Sequence, residues 1–253
     1  MGRILTLLAA VACYLAFFVA FVYLIGFVAG FPPLPTNVDK GLPAAPGMAA
    51  LVDIGLIALF GIQHSVMARP AFKANWVKVV TRPLERSVFC LGSALCLIAL
   101  FAFWMPIAGT VWSVANPTAR IVLWVLFFAG WGILFVATHL INHWELFGLA
   151  QAWRHFKGTE AAPMTFKTPL FYRWVRHPIY SGFLLAFWST PDMSYGHLLL
   201  SLGFSIYILI GIAFEERDLI GQYGDTYVEY RRSVGMVIPG IGRGGRAAVR
   251  ENA

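Results

Sequence analysis

Long apolar stretches with almost no charge leave this chain few ways to fold. Ile4–Gly30, Met48–Ser65, Ser87–Met105 and Arg120–Ile141 approach or exceed the roughly 20 residues a helix needs to cross a ~30 Å hydrocarbon core. A closing pair comes later, Pro178–Thr190 and Tyr195–Phe214. Its first member is short: about 13 residues cover only about 20 Å. That segment therefore either crosses with help from the residues after Pro191 or forms a partial-depth hairpin with the last helix. In lipid each backbone N–H and C=O must be satisfied inside the segment, which selects helices. The predicted fold class is all-α, a multi-pass integral membrane helical bundle of five to six membrane helices whose last two form a hairpin.

Composition agrees. Of 253 residues, 59% are hydrophobic and 12% charged, about half the charge of a typical soluble domain. The first run is too long for a signal peptide and lacks a small-residue cleavage site, so it reads as a retained helix. Cys13, Cys90 and Cys96 lie in apolar stretches without metal-ligand or disulfide spacing. The net charge of +7 sits in connections, not on a docking face for nucleic acid. Arg69, Lys73, Lys78, Arg82 and Arg86 crowd one connection, and Arg154, Lys157, Lys167, Arg173 and Arg176 another. Arg217, Arg231, Arg232, Arg243, Arg246 and Arg250 come after the last helix. All fall on one side if Arg3 is there too, so both termini are expected in the cytoplasm. Residues 1–239 read as a single domain and 240–253 as a loose basic tail. Gly240-Ile241-Gly242-Arg243-Gly244-Gly245 spells G-x-G-x-x-G, but without a strand before it and a helix after it the motif carries no dinucleotide loop.

Polar groups are costly in lipid and are functional candidates by default. Arg176-His177-Pro178-Ile179-Tyr180 places Pro178 in the first turn of a helix, with Arg176 and His177 at an end that attracts anions such as a carboxylate. Glu215-Glu216-Arg217-Asp218 is expected at the end of the last helix, where acidic side chains oppose the macrodipole and call for a compensating cation. The hairpin brings these two ends together, an arrangement suited to a zwitterion such as an α-amino acid. Tyr227, Tyr230 and Arg231 share one face of a further helix that can close a pocket. His139 and His143, with Asn142 and Glu145, end the fourth helix, and His64 lies at the same depth on the second. Each group has a bland alternative: a helix cap, a solvated end, an aromatic belt, polar packing. Three histidines at one level raise a metal site, but no fixed ligand spacing supports one and none is assigned.

These residues carry a resemblance. Arg-His-Pro-x-Tyr from Arg176, Glu-Glu-x-x-Leu from Glu215, and Gly-x-x-Tyr-x-x-Tyr-Arg from Gly224 resemble the C-terminal half of the isoprenylcysteine carboxyl methyltransferase and phospholipid methyltransferase superfamily. Gln63-His64-Ser65-Val66-Met67-Ala68-Arg69-Pro70, Pro83-x-Glu85-Arg86-Ser87 and Asn142-His143-Trp144-Glu145-Leu146-Phe147-Gly148-Leu149 look like the bacterial membrane-bound methanethiol S-methyltransferases. The chain departs from the superfamily at Val234-Gly235, where a Val-Pro is common, which questions the path taken after the Tyr/Arg segment.

The resemblance implies S-adenosylmethionine as cofactor, with Arg176, His177, Pro178 and Tyr180 lining its site. Glu215 and Glu216 would hold its amino and ribose groups, and Tyr227 and Arg231 would close over it. It further implies methyl transfer to methanethiol, giving dimethyl sulfide by in-line displacement, in a bacterial inner membrane and with no obligate protein partner. A thiol is a weak nucleophile until deprotonated, so His143 or His64 is the candidate base, with Glu145 orienting a histidine and Arg69 or Arg176 supplying positive potential. The competing expectations are prenylcysteine or lipid acceptors, a nicotinamide-dependent sterol reductase, an NnrU-like haem- or metal-linked membrane protein, and a transporter.

Overall fold

Five helices begin on a proline in their first turn, where the missing N–H costs nothing and the fixed φ is already helical: Pro46, Pro70, Pro83, Pro117 and Pro178. In the computed structural model, which describes residues 2–161 and 166–244, these prolines punctuate ten helices. In chain order α1 is Arg3–Val28, α2 Pro46–Ala68, α3 Pro70–Trp76, α4 Arg82–Phe103, α5 Pro117–Ile141, α6 His143–Leu146 and α7 Leu149–Lys157. After a 3₁₀ turn at Leu170–Arg173 come α8 Pro178–Trp188, α9 Tyr195–Tyr223 and α10 Asp225–Ser233.

α1, α2, α4, α5 and α9 are each long and apolar enough to cross a membrane. They are not buried by one another: at most 44% of the most apolar 18-residue window of any of them is buried. Leu8, Leu15, Val19, Ile54, Ile121, Val125 and Ile206 face outward. A soluble protein does not present such a surface, and the chain is an integral membrane protein. α1 lies along α4 and α7, α2 along α4 and α9, and α5 along α8. The core between them is aromatic and aliphatic, with Phe27, Leu100, Trp104, Phe127, Phe187 and Leu200 at its centre.

The all-α expectation misses one small element. β1, Thr110–Ser113, pairs antiparallel with β2, Asp192–Ser194. Arg120 grips Asp192 through two nitrogens at 2.9 and 2.6 Å, and Ser113 donates to the same carboxylate at 2.7 Å. β1 lies between the end of α4 and the start of α5, so β2 is held at that end of the bundle. The short α8 therefore reaches the far end, its 11 residues extended by Ser189–Pro191. The last pair of segments spans the bundle.

α8 starts deep rather than at the opposite surface. A Cβ placed on Gly182 would meet Gly130 O at 2.5 Å, and one on Gly130 would meet Gly182 O at 2.6 Å. This glycine pair lets α8 and α5 approach backbone to backbone. With Gly182 level with Gly130, Pro178 lies level with about Leu134, and α5 runs on for about 10 Å to Ile141. The first turn of α8 is thus recessed below the end of the bundle that carries the basic connections.

Two boundaries correct the sequence reading. α9 continues to Tyr223, so Glu215 and Glu216 lie inside the helix and the macrodipole argument does not apply to them. α5 stops at Ile141, and His143 belongs to a separate one-turn helix. Of the expected loose tail, Gly244 N–H donates to Arg231 O at 2.9 Å, while residues 245–253, including Gly245 of the G-x-G-x-x-G string, lie outside the described residues.

Gly182→Ala should force α8 off α5 and cost about 1–3 kcal/mol or more of stability. A lower midpoint of thermal unfolding in detergent, larger than that of Gly132→Ala where a Cβ meets nothing within 4 Å, checks this.

Candidate active site

A charge carried into this apolar bundle must be paired. Arg176, whose side chain is 1% exposed, donates from Nε to Glu216 Oε1 at 2.7 Å. Its Nη1 donates to the carbonyls of Arg231 and Val234, at 3.1 and 2.5 Å, and Nη2 to Gly242 O at 3.1 Å. Glu216 takes two further neighbours: His177 Nε2–H donates to Oε1 at 3.2 Å, and the Arg231 guanidinium places Nε 3.2 Å from Oε2. Breaking one member of such a buried pair typically costs about 3–5 kcal/mol.

The segment after α10 is tied to the same place by its backbone. Arg176 N–H donates to Gly235 O at 2.8 Å, His177 N–H to Met236 O at 3.1 Å, and Ser181 Oγ to Val237 O at 2.7 Å. The departure at Gly235 has a local reason. The chain doubles back so tightly that a Cβ there would sit 2.3 Å from Ile238 O.

Glu215 faces the other way. Its Oε2 accepts from Tyr180 Oη at 2.9 Å and lies 3.9 Å from His177 Nδ1, and its side chain is 43% exposed. It lines a cavity of about 460 Å³, within the ~300–1,000 Å³ range of small-molecule sites. Tyr172, Arg176, His177 and Tyr180 line the same wall. Glu216, Pro178, Tyr227 and Arg231 are not on the cavity surface; they brace it. Two hydroxyls here, Tyr172 Oη and Tyr227 Oη, are buried without a partner among the described residues. Burial, with Glu215 beside Tyr172 and Glu216 beside Tyr227, raises both phenols above their ordinary range, so both remain donors. An orphaned donor beside an accessible carboxylate fits a ligand carrying both a carboxylate and an ammonium.

The opposite wall carries the histidines. Asn142 Oδ1 accepts from Glu145 N–H at 3.2 Å and caps α6, which turns His143 inward. Thr138 Oγ1 lies 2.7 Å from Phe135 O and 2.9 Å from His143 Nδ1. With the Thr138 proton on the carbonyl, His143 is the Nδ1–H tautomer and Tyr14 Oη, 2.9 Å from Nε2, donates to it. Burial, and then the charge of His139, lower its pKa to about 4, so the ring is neutral at ordinary pH. His64 Nδ1 lies 2.9 Å from Ser93 Oγ, which is also 3.2 Å from Gln63 Oε1 and from Phe89 O.

Glu145 does not orient a histidine. Its carboxylate is held by both Arg154 Nη atoms at 2.6 and 2.7 Å, and the orienting contacts belong to Thr138 and Tyr14. His139 stacks on His143 at 4.2 Å but is exposed, its Nδ1 donating to Phe135 O at 2.9 Å. Among the described residues no three His, Cys, Asp or Glu side chains converge on a metal position. Sequence reasoning missed Tyr14, Thr138 and Tyr172. Only Tyr14, one of three hydroxyl residues in an otherwise apolar run, left a signal.

No protein-family model matches the chain, and no solved structure matches it significantly. Curated relatives do. Methanethiol S-methyltransferase 1 of Bradyrhizobium diazoefficiens is 46% identical over 237 residues, 94% of this chain and 83% of that protein. The methanethiol S-methyltransferase of Mycobacterium tuberculosis is 44% identical over 239 residues, 94% of this chain and 98% of its own length. The chain belongs to the methanethiol S-methyltransferase family. Xenopus laevis nurim is more distant, 31% identical over 66% of this chain and 61% of its own. As a member of the methanethiol S-methyltransferase family, the protein is an enzyme, and a methyltransferase needs a methyl donor. The cavity has a charged side with Glu215, Arg176 and His177 and another that carries His64 and His143 among aromatic rings.

The two neighbouring glutamates should separate by mutation. Glu215→Gln is expected to keep wild-type thermal stability and weaken donor binding by about tenfold or more, a charged hydrogen bond being worth roughly 1.5–3 kcal/mol. Glu216→Gln should lower the unfolding midpoint as well, because Arg176 loses its counter-charge. Calorimetric titration and thermal unfolding on the same preparations check both.

Proposed function

We propose that this protein transfers a methyl group from S-adenosylmethionine to a small volatile thiol, converting methanethiol to dimethyl sulfide. The observation that carries the reading is the single cavity shared by Glu215, Tyr172 and His177 on one side and His143 on the other. When bound, S-adenosylmethionine supplies an electrophilic methyl group on a sulfonium. Glu215 would take its ammonium, the Tyr172 hydroxyl its carboxylate, and aromatic rings such as Tyr180 its positive sulfur. Arg176, His177, Pro178, Glu216, Tyr227 and Arg231 hold that wall in shape. The family relatives named for methanethiol support the acceptor. So do Phe18 and Phe135, which line the cavity while facing outward at 41% and 49% exposure, open to an apolar molecule partitioned in lipid. We further propose a bacterial inner membrane location with both termini in the cytoplasm, on the grouping of basic residues at one end.

A base with a pKa of about 4 does not ionise a free thiol. Against a thiol at about 8.5 or above, the transfer is uphill by about 6 kcal/mol. As the new S–C bond forms, however, the attacking sulfur becomes sulfonium-like and its proton strongly acidic. Its acidity overtakes that of His143 before the bond is complete, so a weak base that stays unprotonated is matched to the step. The expected nucleophile is then the neutral thiol, deprotonated as it reacts, instead of a preformed thiolate.

The decisive assay is dimethyl sulfide release from purified protein in lipid with methanethiol and S-adenosylmethionine. Methylation of prenylcysteine with none of methanethiol would replace this reading with the lipid-acceptor one. In the same assay kcat/KM for the thiol should be flat from about pH 5.5 to 8, because His143 titrates near 4 and the thiol above that window. A rise of about tenfold per pH unit would mean that only preformed thiolate reacts.

A further inference from the structure

Tyr14 sits inside the apolar run of α1, with no charged residue between Ile4 and Gly30, where a hydroxyl must find its partners within the protein. Its one proton is committed. With the Thr138 proton on Phe135 O, His143 takes the Nδ1–H form and Tyr14 donates to Nε2, the arrangement the relay requires. Its oxygen keeps its lone pairs, and the residue lines the cavity. Nε2 is already bonded, so the acceptor left free at this point of the wall is the Tyr14 oxygen, not the imidazole. An S–H group is a weak donor that needs an oxygen or nitrogen lone pair to direct it. The ring is held for this purpose by Phe18 at 6.1 Å and Phe147 at 6.0 Å.

We propose that Tyr14 is a catalytic residue that relays the proton of the acceptor thiol to His143. The inference rests on the thiol methyltransferase reading above. The S–H bond breaks and its electron pair stays on sulfur. The proton forms a new bond to Tyr14 Oη, the former Tyr14 O–H bond breaks, and an N–H bond forms on His143 Nε2. Tyr14 ends as it began, and the positive charge rests on the imidazolium, which returns its proton to solvent between turnovers. The same contact aims the sulfur, so Tyr14 both positions the acceptor and takes its proton.

Tyr14→Phe keeps the ring and removes the oxygen. With methanethiol and ethanethiol kcat should fall about 10²-fold, the lower range of general acid–base catalysis, with donor affinity unchanged. With trifluoroethanethiol at about pH 8.5, where this more acidic thiol is largely ionised and has no proton to hand over, the loss should be small, while methanethiol at the same pH still carries its proton. A purely structural effect lowers both alike. Thr138→Val, which frees the tautomer without touching the thiol, should give a weaker loss with the same dependence on thiol acidity. It keeps the test alive should Tyr14→Phe not reach the membrane. A readout independent of turnover is nitrogen NMR of histidine-labelled protein, the His143 signal assigned with His143→Gln. Nε2 should be unprotonated and hydrogen-bonded in the wild type, and unprotonated and free of that bond in Tyr14→Phe. Equal losses on all thiols, or unchanged kcat with methanethiol, overturn the relay and leave the methyltransferase intact. A wild-type protein that methylates none of the three thiols overturns that reading, and the relay with it.

Discussion

A carboxylate gripped by two guanidinium groups and an imidazole, inside an apolar bundle, is the constraint on which the site depends. Glu216 cannot remain ionised there without Arg176, His177 and Arg231, and Arg176 cannot be buried without Glu216. The pair draws together segments that start α8, continue α9 and come after α10. The remaining guanidinium donors then go to carbonyls of the chain after α10, which fastens that chain over the start of α8. Successive residues on a helix point about 100° apart. Once Glu216 is turned toward Arg176, Glu215 must face elsewhere, and that direction is the cavity. One glutamate holds the fold so that its neighbour can hold a ligand.

The depth of the site comes from a different contact. Gly130 and Gly182 let α8 slide against α5, and the β1–β2 ribbon fixes the far end of the segment, so the short helix cannot ride up to the surface. Its first turn, with His177 and Tyr180, is left recessed. Water is scarce at that level, and electrostatic interactions are correspondingly strong. A positively charged donor is then attracted by Glu215 far more than it would be at a solvated rim. Methyl transfer from a sulfonium to a neutral thiol does not cancel the donor's charge but moves it, with the thiol proton, to the opposite wall.

The number and type of helices were legible because lipid simplifies the reading: apolar length alone marks a span. Boundaries were less legible. The sequence places the end of the last helix at Phe214 because charges begin there. Nothing local reveals that Glu216 is compensated by Arg176, 40 residues earlier, so that the helix can continue to Tyr223. The motif residues Arg176, His177, Tyr180 and Glu215 do converge, as their places at the ends of one hairpin require. Glu145 misled because adjacency to His143 in sequence is not adjacency in space: capping by Asn142 turns the histidine in while Arg154 holds the glutamate out. Tyr14, 129 residues from His143, is joined to it only by the packing of α1 against α4 and α7, which no spacing rule contains.

The two walls differ in how their polar groups are satisfied, and this sets what the cavity can accept. On the donor wall, charge is matched to charge, and among the described residues Glu215 and the Tyr172 hydroxyl are left to meet a ligand. On the acceptor wall, His64 and His143 each have Nδ1 2.9 Å from a hydroxyl oxygen. Around them are Phe60, Phe89, Phe135 and Phe147, with Phe60 and Phe89 against His64 at 5.3 and 4.6 Å. Arg69, Lys73 and Arg86 also line the cavity, so it is the patch between these rings that offers a strongly hydrated acceptor little in return for its water. It suits a small apolar molecule with a single weak donor. A thiol meets that description, and an alcohol or amine of the same size, more strongly hydrated, meets it less well.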